Sequence, residues 1–383
     1  MFHYLKFFSY YLLAVFALFC LLAGEYWVVF GYIGFVSFFV LGDALFGDDF
    51  STPDYRFPQI LTATLWLALP ISLVIIAAGL WLVSDATSLW GIEQWYAQVG
   101  IDIIDAKANT IPLQLVFAVL FCGFLVSGIG TVTAHELIHR VGSPVSVSLG
   151  RWIMALSFDA NFSIEHVYGH HRYVATSHDP ATAPRGRNVY HHIIASSIGC
   201  YRSSWQIETQ RLERKSQSII SWHNQCLRGY AMSLVWMALA YAIAGVAGVL
   251  FFIGVGIVGK SMLEIVNYME HYGIVRDPKQ RVMPRHSWNT NKRVSCWTMF
   301  NLSRHSHHHA QGSVRFENLK PMPEAPTMVT GYMATLFLTL VPPLWFKLMA
   351  PKLAQWDAQH ANDKERLILA QQSTTDRFTE QVA

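Results

Sequence analysis

The sequence predicts an all-α polytopic membrane protein: about six transmembrane helices with a cytoplasmic helical cap that carries a histidine-rich site. Three observations predict it. Of 383 residues, 52% are hydrophobic and only 14% charged, whereas soluble domains run to roughly a quarter charged. Apolar runs near the roughly 20 residues needed to cross a bilayer recur along the chain. The histidines, finally, crowd into short clusters at the ends of those runs or between them.

The spans are expected at 7–23, 26–42, 59–83 and 111–134. Lys6 followed by an apolar run has the form of a signal peptide, but no A-x-A site follows and a second span begins almost at once. An uncleaved anchor is therefore expected. The run 229–270 is long enough for two spans, 229–248 and 250–270, with the glycines near 245–256 as a tight turn. A last apolar stretch, 329–350, contains Pro342 and Pro343 and reads as a broken helix in or on the membrane. Residues 1–350 thus read as one integral-membrane domain, and 351–383 as a polar, helical, solvent-facing tail. The aromatics of the first three spans, among them Phe16, Trp27, Phe30, Phe35, Phe38 and Phe39, suit lipid contact or the cap of a pocket.

Charge orients the chain. Loop 84–110 carries one basic residue, Lys107, against Asp85, Glu93, Asp102 and Asp105, while 136–228 carries ten basic residues. The positive-inside rule puts 136–228 in the cytoplasm and, with six spans, both termini there as well. A formal net charge of +3 calls for no nucleic acid. The five cysteines, Cys20, Cys122, Cys200, Cys226 and Cys296, form no C-x-x-C pair, which argues against a disulfide framework, a zinc ribbon or a built-in iron–sulfur domain.

Of seventeen histidines, all but His3, His223 and His360 fall in or beside four segments on the expected cytoplasmic side. "TAHELIHR" (133–140) sets His135 and His139 four apart, on one helix face. "EHVYGHHR" (165–172) repeats that spacing with His166 and His170 and adds His171 about 100° round the helix. "NYMEHYG" (267–273) brings His271, and "LSRHSHHHA" (302–310) pairs His305 with His308 and His309 at i+3 and i+4. Imidazole suits iron, zinc, copper and nickel. Eight or nine of them exceed the four ligands of one tetrahedral site, so the count favours a di-metal centre. His191, His192, His223 and His286 read as surface or supporting residues, and His178 as a turn residue. Carboxylates beside the clusters, Glu136, Asp159, Glu165, Asp179, Glu264 and Glu270, with Asn161 and Asn267, are candidates to orient the ligands. For Glu136 and Glu270 the alternative is plain neutralisation of nearby Arg140 or histidine.

Together the clusters resemble the membrane fatty-acid desaturase and hydroxylase superfamily. "NYMEHYG", "GHHRYVATSHDPAT", "RHSWN" and "LVPPLWFKLMAPKL" look more narrowly like its alkane and xylene methyl-monooxygenase branch, over about 130–350. The resemblance implies a non-haem di-iron centre held by His135, His139, His166, His170, His171, His271, His305, His308 and His309. His307 stands where alkane monooxygenases usually carry aspartate, which suggests a supporting residue rather than a tenth ligand. "VRFENLKPMPEAP" looks intermediate between the alkane and aromatic-methyl branches. The implied reaction is R–CH3 + O2 + 2e− + 2H+ → R–CH2OH + H2O, on an apolar hydrocarbon that reaches the site from membrane lipid. It implies iron rather than zinc, which has no accessible redox states. With no flavin fingerprint and no cysteine cluster in the chain, a separate rubredoxin or ferredoxin-type donor and its reductase are implied. Small acidic carriers suit the Arg-rich cytoplasmic face, and the inner membrane of a bacterium is the implied location.

Three other readings fit part of this pattern. "HELIH" matches the H-E-x-x-H signature of zinc proteases, with Glu136 as general base, but leaves most of the imidazoles unused. An acyl-chain desaturase would use the same metals and boxes, and the "NYMEHYG" spacer and the tail of the resemblance speak against it. A metal transporter would need polar residues through the spans, whereas the histidines stop at one boundary.

Overall fold

The computed structural model describes residues 2–382, with side chains over 3–372. It is all-helical apart from isolated bridges. Five helical segments are long and apolar enough to cross a membrane: α1 (His3–Ala23), α2 (Glu25–Leu45), α3 (Pro58–Leu82), α4 (Pro112–His139) and a 47-residue run, Gln225–His271. α1 turns into α2 with almost no loop, because Gly24 takes φ +70°, a conformation natural to glycine. α4 is the central element, with 61% of its most apolar stretch buried against 33–44% for the others.

The 47-residue run is not one rod. As a straight helix it would reach roughly 70 Å, more than twice a bilayer core. Ala244 and Gly245 leave helical geometry, Gly245 at φ +55°. Beyond them a Cβ built on Gly248 would lie 2.3 Å from the Ala240 carbonyl oxygen, an approach that continuous helix does not allow. The chain therefore folds back at 244–245, the near edge of the expected 245–256 turn, and the second arm delivers His271 at its end.

Close helix approach rests on small residues, as is usual where lipid offers no hydrophobic drive between helices. A Cβ on Gly31 would come within 2.5 Å of Cys20, one on Gly79 within 2.5 Å of Phe251, and one on Gly123 within 2.5 Å of Val258. Phe7 of α1 stacks on Phe300 and meets Phe316 edge-on, which ties the first helix to the segment leading into the last histidine cluster. Phe35 and Phe39 are buried, while Phe16, Trp27, Phe30 and Phe38 are largely exposed on the outer face. The expected ambiguity over the aromatics thus resolves helix face by helix face.

Between the membrane helices lie α5 (Pro144–Met154) and α6 (Val189–Arg214). In this numbering α7 is Gln225–His271. The short α8 (His305–Ala310) follows, then α9 (Tyr332–Thr339) and α10 (Pro342–Gln359). α9 and α10 are the expected broken helix, interrupted immediately before Pro342, whose ring cannot continue the hydrogen-bond ladder. α10 runs through residue 350 without a break, and the segment beyond it is docked rather than free. Trp356 is fully buried and donates to the Arg285 carbonyl at 2.7 Å, and Glu365 meets Arg285 at 3.1 Å and His286 at 2.9 Å. Over 351–372 most positions face outward, with Trp356, Ala361, Glu365 and Leu369 as the buried points of attachment.

Gly31→Ala is expected to destabilise the fold by about 1–3 kcal/mol, the usual cost of overpacking a tight contact. Gly34→Ala, three residues away and meeting only ordinary contacts at 3.6 Å, should be neutral or slightly stabilising. Thermal unfolding of the two variants in one detergent distinguishes them.

Candidate metal centre

The first two histidines occupy the last turns of α4, where the His135 and His139 rings stand 4.9 Å apart. The helix just before them widens into a π turn over Val126–Thr131. A second π turn covers His166–His170, closed by the His171 N–H donating to the His166 carbonyl. Such i→i+5 turns are rare and tend to occur at functional sites. This one adds to the expected geometry. His166 still stacks on His170 at 5.1 Å, and the wider turn also brings His171 to it at i+5, with the two Nε2 atoms 3.1 Å apart. His271 ends α7, its Nδ1 3.4 Å from the His286 carbonyl.

The last cluster rides on α8, fixed by the residue before it. Arg304, fully buried, donates to the carbonyls of Leu319 (2.6 Å), Asp49 (2.8 Å) and Ser51 (3.1 Å). Asp49 in turn pairs with Lys6 of α1 at 3.2 Å. Nothing in the spacing of the histidines indicates this clamp. Its only trace in the sequence is an arginine beside a buried helix.

The nine imidazoles converge in two adjoining groups. His135, His139, His166, His171 and His308 place ligand nitrogens within 4.8 Å of one another. His170, His271 and His309 form a second group, joined by His305 through a third one of Glu270, His271 and His305. The groups abut, with the His171 and His309 rings stacked at 4.5 Å.

The donor set fits a pair of cations. A neutral imidazole offers one N–H and one lone pair. Yet His171 Nε2 faces both His166 Nε2 and His308 Nε2, at 3.1 and 3.0 Å, and His305 Nε2 faces His271 Nε2 at 3.2 Å. Nε2 of His135, His139, His170 and His309 is buried without a hydrogen-bond partner. Burial, reinforced by neighbouring imidazoles, pushes His166, His171, His305, His308 and His309 well below the ordinary histidine range. These rings are neutral, and inward-facing lone pairs with too few protons are satisfied by metal ions.

Two carboxylates reach the rings. Asp179 Oδ2 lies 2.9 Å from His170 Nδ1 and accepts from Thr182 Oγ1 at 2.6 Å. Burial opposes both charges, but the pairing prevails: His170 is raised and Asp179 lowered from their usual values. Glu270 Oε2 lies 3.1 Å from His305 Nε2, and Tyr332 donates to Oε1 at 2.8 Å. Glu270 therefore stands among the donors, closer than the orienting role expected of it.

The other candidates are engaged elsewhere. Glu136 pairs with Arg140 at 3.0 Å, and Asp159 and Glu264 share Lys260 at 2.7 and 2.6 Å. These cations claim the carboxylates that sequence proximity assigned to histidine. Glu165 accepts only from Ser203, and burial with the Asp179 charge pushes it up to about 8. Asn267 donates to Glu264, and the Asn161 amide hydrogen-bonds no ring. His307 accepts from the Lys320 N–H at 3.1 Å and belongs to neither group. His192 is buried against Tyr268, and His191 and His223 are exposed.

An apolar cavity of about 80 Å³ reaches the centre from the membrane helices. Phe35, Phe39, Phe124 and Leu336 line it, and His135, His166, His305 and Glu270 border its polar end. On another side, a polar opening of about 350 Å³ exposes His139 beside Arg140 and Arg315.

Asp179→Asn is expected to weaken metal affinity about 10–100-fold, the usual effect of losing the acceptor behind a ligating histidine. Asp159→Asn should leave affinity unchanged, and so should His307→Asp. Metal content after graded chelation reads all three, and loss of metal in His307→Asp would make that residue a ligand.

Comparison with known proteins agrees with this architecture. The fatty acid desaturase family model matches residues 111–347. An alkane 1-monooxygenase of Pseudomonas aeruginosa is 32% identical over 82% of this chain and 80% of its own length. The hydroxylase component of the xylene/toluene monooxygenase of Pseudomonas putida is 32% identical over 90% and 87%. An alkane 1-monooxygenase of Acinetobacter baylyi is 36% identical over 58% of this chain, and the match spans 56% of that enzyme's length. Since the family match runs from the fourth membrane helix past the last histidine cluster, and the relatives extend it over most of the chain, this protein belongs to the fatty acid desaturase family, with the alkane and xylene monooxygenases as its relatives.

Proposed function

We propose that the chain is an integral-membrane, non-haem di-iron monooxygenase that hydroxylates the terminal methyl group of an apolar hydrocarbon. An n-alkane is the first choice of substrate and an aromatic methyl the second. The observation that carries this reading is the junction of two buried imidazole groups with an apolar cavity opening from the membrane helices. In this reading His135, His139, His166, His171 and His308 hold one iron. His170, His271, His305 and His309, with Glu270, hold the other. Bound there, the irons supply the redox capacity to reduce O2 and oxidise an unactivated C–H bond.

The protein's own residues do the rest. Phe35, Phe39, Phe124 and Leu336 bind the hydrocarbon by burial and exclude water from the reacting carbon. Asp179 fixes the ring plane and tautomer of His170, and Tyr332 holds the Glu270 carboxylate toward His305. The half-buried His139, beside Arg140 and Arg315, offers an approach from the polar surface. An acidic rubredoxin or ferredoxin-type donor would meet complementary charge there. In this reading six spans, counting both arms of α7, leave both termini on one side, and the ten basic residues of 136–228 support the cytoplasm as that side. Relatives from Pseudomonas and Acinetobacter support a bacterial inner membrane.

The test supplies the purified protein, in membranes, with rubredoxin, reductase and 18O-labelled dioxygen, against linear alkanes, toluene and xylene. The expected outcome is label in a primary alcohol and about two irons per chain. An unlabelled alkene would make it a desaturase, and a single zinc with peptide cleavage would make it a protease.

A further inference from the structure

Away from the metal centre, a pocket of about 470 Å³ opens between α5, α6 and the first turns of α7. Its polar wall carries three arginines, Arg151, Arg211 and Arg228, and one carboxylate, Glu208. Glu208 is fully used: it pairs with Arg211 through two 2.7 Å contacts and accepts the Gln225 N–H at 2.6 Å. Arg151 is 5% exposed and reaches only Gln225, its side-chain oxygen at 3.4 Å and its carbonyl at 2.5 Å. The Nε atoms of Arg151 and Arg228 are both buried without a hydrogen-bond partner. Among the described residues neither arginine forms an ion pair. Burial, then the Arg228 charge beside it, brings Arg151 down to about 10. A guanidinium does not lose its proton at that value, and the pocket's one carboxylate, already held by Arg211, acts on Arg151 without pairing with it, so positive charge is in excess in a partly enclosed space.

The surroundings place this pocket at the surface of a bilayer. Arg228 lies in the first turn of a membrane helix, and Val141, Val147 and Met232 form an apolar rim beside the arginines. Arg211 also holds the His223 carbonyl at 2.7 Å, next to Trp222 and Ile220, which are 75% and 76% exposed. Exposed tryptophan and isoleucine at a helix end suit the headgroup layer, where an amphipathic ring meets lipid and water together.

We propose that this pocket binds a phosphate-bearing anion, the headgroup of an anionic phospholipid, with Arg151 and Arg228 on the phosphate and the acyl chains against the apolar rim. Guanidinium forks match phosphate oxygens, and among the described residues neither Arg151 nor Arg228 is held in an ion pair. The site has a structural consequence as well. Ile138 and Ile164 line the same pocket, one residue before His139 and two before His166. A bound lipid therefore braces the helices that carry the first two histidine clusters.

The test uses the purified full-length protein. Native mass spectrometry reads retained lipid, and thermal unfolding is followed with added phosphatidylglycerol, phosphatidylcholine or inorganic phosphate. The expected result is retained anionic phospholipid and a rise in Tm with phosphatidylglycerol, less with phosphatidylcholine and none with inorganic phosphate. Arg228→Gln, at a partly exposed position, should fold and bind phosphatidylglycerol about tenfold more weakly, as loss of a charge-assisted hydrogen bond implies. Arg151→Gln should do the same if it folds, and Arg228→Gln decides the matter if it does not. Equal lipid retention in wild type and Arg228→Gln would overturn the proposal, as would a phosphate response matching that of the lipid.

Discussion

Nine imidazole rings that point lone pairs at one another, out of reach of water, form an arrangement that is unfavourable without cations. Each unsatisfied buried polar atom costs on the order of 1–3 kcal/mol, and several gather here at once. The surrounding architecture holds this strain in place. Arg304 locks the last cluster to three carbonyls, Asp179 grips His170, and the Phe7–Phe300–Phe316 stack anchors the first helix beside them. Ions that filled the two groups would remove this penalty, which would couple metal binding to folding.

The site lies between two unlike environments. One side is hydrocarbon: the apolar cavity and the membrane helices whose aromatic residues divide between its wall and the outer surface. The other is polar and basic, with Arg140 and Arg315 beside the half-buried His139. A chemistry that takes an oily substrate from one phase and charge carriers from the other needs both boundaries within reach of one centre. The ends of α4 and α7, with the 162–173 segment and α8 packed against them, bring the nine imidazoles to that boundary.

Much of this was legible in the sequence, for identifiable reasons. Span positions follow from hydropathy, because length and polarity alone decide what lipid accepts. The histidine clusters were visible because i+3 and i+4 spacings concentrate side chains on one helix face. The partners of the carboxylates were not legible. Glu136 and Asp159 lie close to histidines along the chain, but Arg140 and Lys260 claim them in space. Glu270 was visible only as the neighbour of His271, and its place among the donors depends on Tyr332, some sixty residues away. The docking of Trp356 and Glu365 was hidden for the same reason, since their partners Arg285 and His286 lie far back in the chain.

The π turn at His166–His170 has a wider implication. Adjacent residues, His170 and His171, are sent to different groups, while His166 and His171 share one. The division of the rings between the two groups is thus written in backbone winding rather than in the order of letters. A relative with the same string of residues on an ordinary helix would hand its rings out differently. Recognising the box by spelling alone reveals that its rings gather, but not which ring joins which group.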